Sequence, residues 1–113
     1  MTKMQRDKGN RGERAIVNMF KKAGFEDAVR NYADKQDGMG VDVFAGNLLI
    51  QVKSYAKSVP ISKYDEIKRS DGIKALASKV NHKPWMITMT LTDFLAIAED
   101  VGILYDQGLI PPF

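Results

Sequence analysis

The chain has 113 residues, 44% of them hydrophobic, with a net charge of +3, no cysteine and one histidine. That length makes one domain with one modest core, so a large substrate must lie on its surface; disulfides, thiolate chemistry, zinc sites built on Cys pairs and a histidine cluster are excluded. No apolar run approaches the roughly 18 residues of a membrane span and Met1 to Arg14 is too polar for a signal segment, which predicts a soluble, cytoplasmic protein with no membrane partner, of a size that suits a phage or another small genome.

Asn10 is a candidate N-cap for a first helix over about 10–23, in which Ile16, Val17 and Phe20 recur at helical spacing and Gly24, after Lys21 and Lys22, is the stop. Glu13 precedes Ile16 and Val17 by three and four residues, so it shares the core-facing stripe and needs a partner there. A metal on the adjacent sheet is one such partner; a capping box with Asn10 is the competing structural role. Ala28 to Tyr32 reads as a short strand and Ala33 to Gly40 as a polar loop. Val41 to Ala45, Gly46-Asn47 and Leu48 to Tyr55 form a hairpin pattern. Ser62 is placed to cap a helix through Tyr64 and Ile67 on to Val80, with a break near Asp71-Gly72. His82 is expected at the surface, Trp85 to Thr90 as a buried strand with Trp85, Met86 and Ile87 in the core, Thr92 as the cap of a last helix to about Val101, and Pro111-Pro112-Phe113 as an irregular tail. This order predicts a single-domain α/β fold, residues 1–113, with a central mixed sheet flanked by helices.

The hairpin carries the chemistry. With Gly46-Asn47 as the turn, Asp42 is expected opposite Gln51 and Phe44 opposite Leu49. Alternation then gives one wholly apolar face, Val41, Val43, Ala45, Leu48, Ile50 and Val52, and a second face with Asp42, Phe44, Leu49, Gln51 and Lys53. A carboxylate, an amide oxygen and an ammonium thus meet at the open end of the hairpin. Such a group suits phosphodiester hydrolysis: a hard cation such as Mg²⁺, or Mn²⁺ in its place, takes oxygen ligands and activates water, while a lysine orients that water or meets the developing charge. No organic cofactor is required. Charge is distributed to match, with five lysines and arginines against two acids in residues 1–14 and eight against three in residues 53–83.

The segments Lys8-Gly-Asn-Arg-Gly-Glu13-Arg-Ala, Lys22-Ala-Gly-Phe25, Gly40-Val-Asp42-Val-Phe-Ala-Gly-Asn47 and Ile50-Gln-Val-Lys53-Ser, in this order, resemble the archaeal-type Holliday junction resolvases of the PD-(D/E)xK nuclease superfamily. The resemblance spans roughly residues 8–67. It implies that Glu13, Asp42 and Gln51 are Mg²⁺ ligands with the Val52 carbonyl, that Lys53 is the catalytic lysine, and that Arg11 and Arg14 hold DNA phosphates, with Lys8 a further DNA-binding candidate. It also implies a restriction-endonuclease-like fold and a homodimer that nicks branched DNA in pairs, at four-way junctions. Lys57, Ser58, Lys63 and Lys68 are further candidates for backbone contacts, and one of Asp34, Lys35, Gln36 and Asp37 for a polar group near the scissile phosphate. The sequence departs from the pattern at Val41, in place of a proline, and at Gln51, in place of a glutamate. Nuclease activity on flaps or duplex ends, and a DNA-binding module that has lost catalysis, are the alternatives. For a nuclease, Gln51→Glu is expected to retain or raise activity.

Overall fold

The computed structural model describes residues 3–32 and 38–109. The elements are helix α1 (Lys3–Lys22), strands β1 (Val29–Arg30), β2 (Val43–Ala45) and β3 (Leu48–Tyr55), a 3₁₀ segment (Ile61–Glu66), strands β4 (Ile73–Val80) and β5 (Met86–Thr88), and helix α2 (Leu91–Asp106). Among the described residues five strands form one mixed sheet in the order β1-β2-β3-β4-β5, parallel only between β3 and β4. The expected α/β class is therefore what the chain adopts; the candidate loop residues Asp34 to Asp37, and the Pro111-Pro112-Phe113 tail, lie outside the described residues.

Helix α1 begins well before Asn10, which lies inside the helix rather than at its cap. Two glycines at positions 9 and 12 cost about 1 kcal/mol each in helix propensity, too little to stop it. Its C-terminus follows the sequence closely. Gly24 takes φ +108°, Phe25 N–H returns to the Phe20 carbonyl (2.9 Å) and Gly24 N–H to that of Lys21 (3.1 Å). This is a Schellman stop, and the accompanying apolar contact is the edge-on pair of Phe20 and Phe25, 5.3 Å between ring centres.

The hairpin forms in the expected register, Val43 with Ile50, Phe44 with Leu49, Ala45 with Leu48. Gly46 supplies the positive φ (+57°) that a two-residue hairpin turn demands at its first central position, and its amide is held by the Asp27 carboxylate at 3.1 and 3.2 Å. Beyond Val43 the ladder changes. Asp42 N–H donates to the carbonyl of Ile50, the residue already paired with Val43, so two residues of one strand face one of the other in a bulge. The extra residue breaks the alternation. Val43, Ala45, Leu48, Ile50 and Val52 pack under α1 with Ile16, Ala28, Ala75 and Ala77, as expected, but Val41 crosses to the opposite face with Leu49 and Ile67.

Residues 73–80 are a strand, not the second half of a helix. Ala75, Leu76 and Ala77 are all about 1% exposed, Ala75 and Ala77 in the core under α1 and Leu76 on the opposite face, so the strand is covered on both faces. A strand buried on both sides shows no alternation, and its alanines carry helical propensity that sheet pairing overrides. Strand β5 is an edge: Met86 and Ile87 are exposed, and of the predicted core trio only Trp85 packs against the core. Helix α2 is capped by Thr90 rather than Thr92, because the Thr90 hydroxyl accepts the Asp93 amide at 3.1 Å. His82, at φ +66°, occupies the exposed turn after β4.

Candidate active site

The bulge that redirects Val41 also places Asp42. Its carbonyl accepts the Asn31 amide and its Oδ2 accepts the Val52 amide, both at 2.8 Å, while the Asn31 side chain holds the neighbouring Val41 carbonyl at 2.9 Å. The Asp42 carboxylate therefore lies in the hydrogen-bonding plane of the sheet, beside β3, rather than directly opposite Gln51. In an extended strand a residue's amide and carbonyl point to the same side, so the Val52 carbonyl also faces the edge where β2 gives way.

Asp42, Gln51 and Lys53 line one cavity of about 310 Å³ together with Gly38, Gly40, Glu66 and Lys68. Glu66 comes from the end of the 3₁₀ segment in the crossover that joins the parallel strands β3 and β4. Its Oε1 accepts from Gln51 Nε2 (3.0 Å) and pairs with Lys53 Nζ (3.5 Å), and its Oε2 pairs with Lys63 Nζ (3.0 Å). The Lys63 hydrogen bond holds the Glu66 carboxyl below its usual range, with the positive charges of Lys53 and Lys63 adding to the effect and partial desolvation opposing it. The same bond raises the Lys63 ammonium, helped by Tyr55. Lys63, expected as a free phosphate contact, is thus engaged by Glu66.

Gln51 is 3% exposed. Its amide nitrogen is satisfied by Glu66, but among the described residues its amide oxygen accepts no hydrogen bond. A buried acceptor without a donor on the wall of a cavity that also presents the Asp42 and Glu66 carboxylates is a fit for a hard cation. The donor set is all oxygen, and Mg²⁺ characteristically takes one or two carboxylates and fills its remaining positions with water and phosphate oxygens. No group of three or more His, Cys, Asp or Glu side chains able to hold a metal ion occurs among the described residues.

Glu13 is not among the residues that line this cavity. Its Oε1 accepts Arg30 Nε at 3.2 Å, Arg30 Nη2 donates to Asn10 Oδ1 at 2.8 Å, and the guanidinium sits 5.1 Å from the Tyr32 ring centre. Glu13 does face the sheet, 21% exposed, but the partner that its position requires is Arg30, and the capping box is ruled out because Asn10 lies within the helix. The Arg30 fork ties α1 to the edge strand β1. Arg30→Ala is expected to lower stability by about 2 kcal/mol in urea unfolding, the worth of a hydrogen bond to a charged group, and adding Glu13→Gln should recover part of the loss. Equal losses with and without Glu13→Gln would exclude the pairing as the cause.

Of the other expected DNA contacts, Arg11 and Arg14 are exposed and line a second, open cavity of about 510 Å³ with Lys3, Met4 and Asp7. Lys8 is half-buried on the same helix; Lys57 and Ser58 are exposed just after β3, and Lys68 reaches the first cavity. Comparison with protein-family models, with characterised proteins and with solved structures finds no match to this chain.

Proposed function

We propose that this protein is a metal-dependent endonuclease of the PD-(D/E)xK type that cuts four-way DNA junctions as a homodimer. The observation that supports this most is the convergence of Asp42, Gln51 and Lys53 from one hairpin on one cavity whose wall carries an amide oxygen without a donor. Bound there, Mg²⁺ or Mn²⁺ supplies an acidified water and neutralises charge on the phosphate. Asp42 and Gln51 hold the cation by their oxygens. Lys53 brings its ammonium to the non-bridging phosphate oxygens or to the attacking water. Arg11, Arg14 and Lys8 on α1, and Lys57 and Lys68 beyond β3, grip the flanking phosphates, a nonspecific attraction that weakens as salt rises.

A two-fold dimer suits a junction because two like strands are cut symmetrically. The exposed stripe Leu91, Phe94 and Leu95 on α2 and, separately, the edge strand β5 with its exposed Met86 and Ile87 offer apolar surface that supports self-association.

The test is a cleavage assay on a labelled four-way junction beside duplex and flap controls, with Mg²⁺, with Mn²⁺ and with EDTA. Paired, metal-dependent cuts confined to the junction are the expected result. Cuts mainly in the controls move the substrate to other DNA, and tight binding with no cutting under either metal leaves a DNA-binding module.

A further inference from the structure

A buried side-chain amide has one end that donates and one that accepts, and its neighbours decide which end points where. For Gln51 the deciding neighbour is Glu66. Flanked by the ammonium groups of Lys53 and Lys63, the Glu66 carboxylate is an acceptor only, so the Gln51 nitrogen must face it and the Gln51 oxygen must face away. Glu66 is itself fixed by backbone. The Lys68 amide donates to the Met39 carbonyl at 2.8 Å, and Gly40 passes so close that a Cβ there would lie 1.9 Å from the Glu66 carbonyl oxygen.

We propose that Glu66 is a positioning residue of this site: it holds the Gln51 amide so that its oxygen serves as a cation ligand, holds Lys53 alongside, and supplies from the crossover the negative charge that β3 lacks at Gln51. This inference rests on the nuclease reading above. It makes Gln51 and Glu66 one unit, in which a carboxylate at either position requires an amide at the other. Gln51→Glu alone, which the sequence predicts to be harmless or beneficial, instead sets two carboxylates about 3 Å apart.

The experiment takes the full chain through Q51E, E66Q, E66A and the double exchange Q51E/E66Q. Each is measured by thermal melting in EDTA at pH 8, by Mn²⁺ affinity in calorimetry, and by junction cleavage. Q51E should melt roughly 4–8 °C below wild type, and the double exchange should return to near the wild-type temperature. E66A should bind Mn²⁺ about 10- to 100-fold more weakly, the usual effect of removing a group that orients a ligand. E66Q, which keeps an oxygen for the Gln51 nitrogen but lacks the charge, should recover only part of that affinity. Wild-type Mn²⁺ affinity in E66A, or a Q51E melting temperature that is indifferent to residue 66, overturns the proposal. If the melting and Mn²⁺ results hold while no DNA is cut, the nuclease reading fails alone; if wild type cuts DNA and residue 66 leaves Mn²⁺ affinity unmoved, the positioning role fails alone.

Discussion

Asp42→Asn should slow metal-dependent junction cleavage by at least ~10²–10³-fold while the protein melts within a few degrees of wild type. The choice of asparagine follows from what the carboxylate does in the fold. Asp42 Oδ2 accepts the Val52 amide at 2.8 Å, where β2 has bulged away and no longer provides a regular ladder partner. Alanine would leave that amide without its acceptor, at about 1–3 kcal/mol, and would confuse lost chemistry with lost structure. Asparagine keeps an oxygen for Val52, while it removes the charge and turns the second carboxylate oxygen, the one left for a divalent cation, into an amide nitrogen. Single-turnover cleavage, read beside melting curves and junction binding, separates the two: normal folding and binding with cutting abolished is the expected pattern. A variant that cuts at the wild-type rate would show that Asp42 holds no cation and that the site lies elsewhere.

The part of this site that was legible in the sequence is the part that local rules govern. A Gly-Asn pair between two apolar runs dictates a two-residue hairpin, and the turn then fixes the register of Phe44 on Leu49 and puts Gln51 and Lys53 near Asp42. What local rules could not reach is the bulge. Strict alternation places Val41 under α1, whereas the doubled pairing of Asp42 and Val43 on Ile50 sends it to Leu49 and Ile67. The strand β4 was hidden for a different reason. Ile73 to Val80 has the alanine content of a helix and no alternation, because both of its faces are buried, Ala75 and Ala77 in the core under α1 and Leu76 on the opposite side.

A helix over 73–80 would also leave Glu66, earlier in the chain, without a place in the site. Parallel pairing of β3 and β4 needs a crossover, and that crossover brings Glu66 back over the end of β3. With 62–80 helical and broken near Asp71-Gly72, nothing in the sequence places Glu66 near Gln51, though Lys63 three residues earlier is a visible partner for it. Arg30 was missed because a two-residue strand offers too little pattern to say which face it presents. The position of Glu13 on the core-facing stripe correctly implied a partner across the interface; its identity, a guanidinium on β1, could come only from the fold.

Gly40→Ala is expected to cost about 3 kcal/mol or more in urea unfolding and to abolish measurable Mn²⁺ binding. Two penalties meet at this residue. Its φ of +74° is the left-handed region, worth about 1–2 kcal/mol against any residue with a Cβ. The added Cβ would also lie 1.9 Å from the Glu66 carbonyl oxygen and 2.6 Å from its carbon, both backbone atoms that no rotamer change can move. Relief requires the two segments to separate. Separation breaks the Lys68 to Met39 hydrogen bond and draws Glu66 away from Gln51 and Lys53. Gly108→Ala is the matched control, since Gly108 has φ +72° but its Cβ would meet nothing within 4 Å among the described residues and it lies outside the cavity lining. It should show the dihedral cost alone and keep its affinity for Mn²⁺. If the two variants lose the same stability and the same affinity, backbone strain suffices to explain both and the close packing of Gly40 on Glu66 plays no part in shaping the site. If only Gly40→Ala loses the cation, the contact between the loop before Asp42 and the crossover is what assembles Gln51, Lys53 and Glu66 around one cavity.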